Sequence, residues 1–155
     1  MNPDFRDLLS TFNAHGVDYL VVGAHALAAH GHVRATNDLD VWVRPSSTNS
    51  PKVIQALRAF GAPLLDLAEK DLAQPGVIFR IGVAPVRIDV ITVIDGVAFD
   101  EAWSERMSTA YAGVPTSVLS LRHLILNKEA SGRPQDLADL DWLRTRGSGK
   151  RRPQE

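Results

Sequence analysis

Tyr19-Leu20-Val21-Val22-Gly23-Ala24-His25-Ala26-Leu27 and, a short way on, Asp38-Leu39-Asp40-Val41-Trp42-Val43 decide how this chain is read. The first stretch opens with a continuous apolar run of strand length, the kind that is buried on both faces. It runs straight into Gly23 and then into an alanine-rich stretch, Ala24 to Ala29, that favours a short helix closed by His30-Gly31. The second stretch alternates, with Leu39, Val41 and Val43 on one face and Asp38, Asp40 and Trp42 on the other. Aspartates two apart on a strand leave the same face with about 7 Å of backbone between them, so their side chains can converge on one ion. Two such carboxylates repel and raise each other's pKa unless a cation sits between them. An Asp-x-Asp pair facing a cleft therefore asks for a hard divalent metal, with magnesium the default, and a solvated pair on a sheet edge is the alternative.

Outward from this pair the punctuation is regular. Asn2-Pro3-Asp4 predicts a helix start, with a side-chain cap, proline in the first turn and an acid at the positive end of the dipole; Phe5, Leu8, Leu9 and Phe12 follow at helical spacing up to Gly16. Ser50-Pro51 opens another helix carrying Val53, Ile54, Leu57 and Phe60 to Gly61. From Ala62 to Gly76 the periodicity weakens to a loop with one short helical turn. Val77 to Val83 and Val86 to Val93 predict a hairpin about Ala84-Pro85, and Asp95-Gly96 the next turn. Phe99 to Arg106 is a short helix, and Thr109 to Val118 one or two strands. Ser120 caps a helix containing Leu121, Leu124, Ile125 and Leu126 that Gly132 terminates, and Pro134 starts a last one with Leu137, Leu140 and Leu143 as its apolar stripe, ending near Gly147. The fold class is α/β or α+β, a small mixed sheet flanked by helices with two helices at the C-terminal end. We expect a single domain over residues 1–147 and a basic tail over residues 148–155 that either touches RNA or is a solvated terminus.

Composition narrows the function classes. The 155 residues carry 17 Lys plus Arg against 18 Asp plus Glu, a formal net charge of −1, so no global field draws the protein onto nucleic acid. With no cysteine, disulfides, thiolate metal sites and thiol nucleophiles are excluded. Acids where a signal peptide would be basic, and no apolar run of membrane-spanning length, make a soluble, cytoplasmic protein the expectation. His25, His30 and His32 lack the spacing of a structural zinc site.

Two further features add chemistry. A strand that runs through Gly23-Ala24 into a helix is the geometry in which backbone N–H groups receive a phosphate. Asp89, inside Arg87-Ile88-Asp89-Val90-Ile91-Thr92, puts a third acid in a strand that otherwise favours burial, where a charge is costly unless compensated.

Phosphate turn, Asp-x-Asp strand and a later strand Asp together resemble the nucleotidyltransferase superfamily built on a DNA polymerase beta-like palm. Within it, Val22-Gly23-Ala24-His25-Ala26-Leu27, His30-Gly31, Arg34-Ala35-Thr36-Asn37-Asp38-Leu39-Asp40, Arg87-Ile88-Asp89 and the segment Asn127 to Leu140 look like the AbiEii-type and related minimal bacterial nucleotidyltransferases. The resemblance implies that Asp38, Asp40 and Asp89 are catalytic and hold two magnesium ions, manganese being the substitute, and that Asp89 helps deprotonate the acceptor. It implies that Gly23 and Ala24 hold the triphosphate, with His25 near the nucleotide. Lys128 is then a phosphate cation or a solvated helix residue, and Arg133 a second cation or a partner of Asp136 or Asp139, both of which read as structural. Arg34 and Thr36 contact phosphate or cap the turn; Trp42 stacks on a base or packs. Ala24 departs from the pattern, where Ser or Gly is common. The implied reaction moves a nucleoside monophosphate from a nucleoside triphosphate, ATP among them, to an acceptor that is tRNA, a protein side chain or a small molecule, with a toxin–antitoxin role among the implications. The alternative is a catalytically weak nucleotide-binding or antitoxin-like module acting with a protein partner.

Overall fold

The computed structural model describes residues 2–33, 36–83 and 86–147. Arg34, the Ala84-Pro85 turn and the basic tail fall outside the described residues.

Helix α1 (Pro3–Ala14) begins as its sequence predicts: the Asn2 side chain accepts from the backbone N–H of Asp4 and Phe5. Strand β1 (Tyr19–Val22) is buried along its whole length and passes directly into α2 (Gly23–Ala29), which the structure starts one residue earlier than the alanine run suggested. Then come β2 (Asp38–Val43), α3 (Ser50–Phe60), a single helical turn α4 (Glu69–Leu72), β3 (Ile78–Val83) and β4 (Val86–Ile91). After α5 (Phe99–Ser104), β5 (Met107–Tyr111) and β6 (Val114–Val118) form a hairpin, and α6 (Leu121–Ser131) and α7 (Pro134–Gly147) complete the described chain.

Among the described residues the strands form one mixed sheet in the order β3-β4-β2-β1-β6-β5. β1 and β2 are antiparallel, while β2 and β4 run parallel with Asp38 opposite Arg87 and Asp40 opposite Asp89. That register follows from burial. Leu39, Val41, Ile88 and Val90 all enter the core on one face, and a slip by one residue would turn all of them outward. α1 packs against α3, and their apolar residues share the core with this face of the sheet.

One open choice is decided and one expectation is corrected. Trp42 shares the acidic face of β2 yet is 2% exposed, because Phe99 of α5 covers it edge-on at 4.9 Å between ring centroids; it is a packing residue. Leu137 is 55% exposed, so the buried stripe of α7 is Leu140 and Leu143 with Asp136 and Asp139. No helix among the described residues is long and apolar enough to cross a membrane.

Candidate active site

Strand alternation puts Asp38 and Asp40 on the face of β2 opposite the core residues, and the parallel register sets Asp89 of β4 directly beside Asp40. The chain turns from β1 into α2 over this face. Gly23 has φ +69°, and a Cβ there would lie 2.3 Å from Asp40 Oδ2, so glycine is needed both for the backbone and for the carboxylate's place. Asp40 is thus packed under the turn. Its pKa is raised to about 6, first by burial and then by the charges of Asp89 and Asp38, with Arg87 and Lys128 offsetting only part of this.

Gly23, Asp38 and Asp40 line a cleft of about 490 Å³ together with Ala24, Thr36, Arg87, Lys128 and Arg133; Asp89, next to Asp40 in the sheet register, is not among its lining residues. A second compartment of about 440 Å³ shares Gly23, Asp40, Lys128 and Arg133 and continues over Ile78, Ile91, Ile94 and Asn127. Thr36 accepts a hydrogen bond from the Asp38 N–H at 2.9 Å, so it caps the entry to β2 while bordering the cleft.

Lys128 is buried rather than solvated. Its Nζ lies 3.2 Å from both Asp136 Oδ1 and Asp139 Oδ2, which ties α6 to α7. Arg133 Nε donates to Asp136 Oδ2 at 2.8 Å, leaving its exposed guanidinium at the cleft margin. Both cations border the cleft, and both are already paired with structural acids.

His25 stands elsewhere. It lines a separate cavity of about 270 Å³ with Leu9, Val21, Tyr111 and Val118, makes edge contacts with Phe5 and Tyr111, and is not among the residues lining the acidic cleft. Burial lowers its pKa, partly offset by the charge of Asp38. The other two histidines also diverge: His30 Nε2 lies 2.8 Å from the Leu119 carbonyl, and His32 stacks on Trp142.

Two functional candidates went unread in the sequence, Arg80 and Arg87. Arg87 Nη2 is 3.4 Å from Asp38 Oδ2, and Arg80 Nε, on the neighbouring strand, is 3.3 Å from Asp89 Oδ1. The signal was present: Arg87 alternates with Asp89 on one face of a strand, and a hairpin partner strand brings Arg80 beside it. With the carboxylates leaning on these arginines, no closed set of three metal-binding side chains stands among the described residues. The donor set nonetheless suits a hard cation. It is all carboxylate oxygen, Asp89 Oδ1 is buried without a hydrogen-bond partner, and burial followed by the charges of Asp89 and Asp38 raises the Asp40 pKa to about 6.

The sequence matches no protein-family profile and no curated protein. Among solved structures the chain is similar to a lincosamide antibiotic adenylyltransferase with lincomycin bound, at TM-score 0.59 and 14% identity over 94% of this chain and 97% of that one. The antibiotic-resistance factor ANT(2'')-Ia, in its complex with adenylyl-2''-tobramycin, gives TM-score 0.60 and 15% identity over 94% and 87%. A candidate nucleotidyltransferase of Thermotoga maritima gives 0.57 and 12% over 94% and 91%. The chain has the nucleotidyltransferase fold. At such identities the likeness is one of backbone.

Proposed function

We propose that the protein is a metal-dependent nucleotidyltransferase that moves a nucleoside monophosphate from a nucleoside triphosphate to an acceptor hydroxyl. The observation that carries this reading is the placing of Asp40 and Asp89 side by side in register, with Asp38 on the same face and Gly23 shaped around the Asp40 carboxylate.

Asp38, Asp40 and Asp89 would hold magnesium or manganese, which when bound neutralises charge on the phosphates and on the attacking and leaving oxygens. The chain's own groups orient the reactants. Gly23 and Ala24 border the cleft where the triphosphate tail would lie, and Lys128 and Arg133 add positive charge along its margin. The acceptor oxygen attacks the α-phosphorus, its proton passes to Asp89, and the bond to the bridging oxygen breaks to release pyrophosphate. Asp89 is given the proton acceptor's place because the parallel register sets it beside Asp40.

Two adjoining compartments that share Asp40 give one to the nucleotide and one to the acceptor. The near-neutral net charge favours a small-molecule acceptor over tRNA, and so does the likeness to antibiotic adenylyltransferases. On this reading residues 1–147 work as one unit in the cytoplasm. An AbiEii-type toxin–antitoxin role is the branch in which the acceptor is tRNA or protein. The pairing of Asp38 and Asp89 with arginines favours one second reading, a nucleotide-binding module with weak turnover that a protein partner completes.

Calorimetric titration of ATP, CTP, GTP and UTP with magnesium separates these outcomes. The wild type should bind at least one nucleotide, and Asp38→Ala/Asp40→Ala should lose the magnesium-dependent part of that affinity. Pyrophosphate release should then appear with one acceptor class among small hydroxylated molecules, tRNA and protein. Binding without release on any acceptor supports the module reading, and no binding at all overturns both.

A further inference from the structure

Arg87 takes no step in the proposed transfer, yet it stands between two of the three carboxylates. The parallel register sets it opposite Asp38, and alternation along β4 puts its side chain on the same face as Asp89. Its Nη2 is 3.4 Å from Asp38 Oδ2, and its Nε is 4.0 Å from Asp89 Oδ1, the oxygen that Arg80 approaches to 3.3 Å. Arg87 Nε and Asp89 Oδ1 are both buried, and neither makes a hydrogen bond. A buried donor and a buried acceptor that face each other without bonding form a costly arrangement. Each has a better partner of a different kind. A hard divalent cation suits the carboxylate oxygen, and a pair of phosphate oxygens suits the guanidinium fork.

Charge points the same way. Lys128 and Arg133 are matched by Asp136 and Asp139, which leaves Arg80 and Arg87 to face Asp38, Asp40 and Asp89. A single net negative charge is a weak attractant for a free divalent cation. A cation that arrives with a triphosphate also brings the anions that Arg87 needs on leaving the aspartates.

We propose that Arg87 is a positioning residue that occupies Asp38 and Asp89 in the metal-free protein, competes there with a divalent cation, and passes to the nucleotide's phosphates when metal and nucleotide enter together. Binding is thereby ordered: metal alone is held off, and the metal–nucleotide complex is taken. This inference rests on the nucleotide-transfer reading.

The test titrates Mn2+ alone, followed by the paramagnetic signal of the free ion, into wild type and Arg87→Met, and then repeats it with a nucleotide that binds the wild type. The Met variant should bind Mn2+ alone about fivefold tighter and the Mn2+–nucleotide complex at least fivefold weaker, a pair of opposite signs that a merely structural role does not produce. Arg87→Lys keeps the charge without the fork and should move both affinities the same ways by less; it also serves if the Met variant does not fold, as read by circular dichroism. Unchanged Mn2+ affinity, or two affinities falling together in a folded variant, overturns the role of Arg87 while wild-type nucleotide binding leaves the transferase reading standing. A wild type that takes up neither Mn2+ nor its nucleotide complex overturns both.

Discussion

Two clusters of buried charge lie a few residues apart across the same cleft, and they have been settled in opposite ways. Between α6 and α7, Asp136 and Asp139 are each 2% exposed at the side chain, and Lys128 lies 3.2 Å from both. Burial pushes the Asp136 carboxyl up, but hydrogen bonds from Arg133 and Lys128 outweigh it, and the net shift is down. Across the cleft, Asp40 is buried beside two more carboxylates, the arginines reach mainly its neighbours, and its pKa rises to about 6. The first cluster is complete within the chain and fastens two helices. The second is short of positive charge, and a deficit of that kind is what a site for a cationic ligand leaves when only the protein is considered.

The largest expected effect comes from breaking the complete cluster. Lys128→Met leaves two carboxylates buried with too little positive charge around them and should lower unfolding free energy by about 3–5 kcal/mol in urea titration. If the loss is under 1 kcal/mol, the ion pairs are not what fastens α6 to α7.

The incomplete cluster should respond with the opposite sign. Between about pH 4 and pH 6 the folded chain keeps a proton on Asp40 that the unfolded chain has released, so Asp40 makes stability fall as pH rises through that window. Asp40→Asn should therefore stabilise the ligand-free protein at pH 7 by about 3 kcal/mol and flatten its melting temperature between pH 4 and pH 7. The same variant should lose magnesium-dependent nucleotide binding. A variant less stable than the wild type at pH 7 would mean that the carboxylate is compensated after all.

A smaller effect tests the seam between turn and strand. Gly23→Ala places a Cβ against Asp40 Oδ2 at a positive φ and should cost about 1–2 kcal/mol in thermal or urea unfolding. Adding it to Asp40→Asn should not relieve the backbone part of that loss.

Much of this was legible in the sequence because local rules and burial agree. The Asn2 and Ser120 caps, the glycine stops at Gly61 and Gly132, and the alternation of β2 are dictated by neighbours in the chain, and the structure has them where they were read. What was not legible depended on contacts between distant segments. Trp42 obeyed the alternation and was still buried, because α5 arrives over it. Lys128 on its own reads as a solvated helix residue, and only the packing of α7 encloses it. His25 follows the phosphate turn in sequence, but one residue along a helix turns a side chain by about 100°, enough to send it to another cavity. Arg80 and Arg87 sat in plain view as strand residues, and their meaning came from the pairing of three strands.

That pairing bears on how the protein comes to exist. Asp40 and Asp89 meet only when β2 and β4 align as a parallel pair, with α3, α4 and β3 all lying between them in the chain. Non-local contacts of this kind close late, after a long loop has been ordered. The strand alignment that defines the cleft must therefore be reached against the mutual repulsion of its own carboxylates. A chain emerging during synthesis has no such cleft until β4 has been made, and the apolar residues of β2 and β4, not the acids, must drive the closing step.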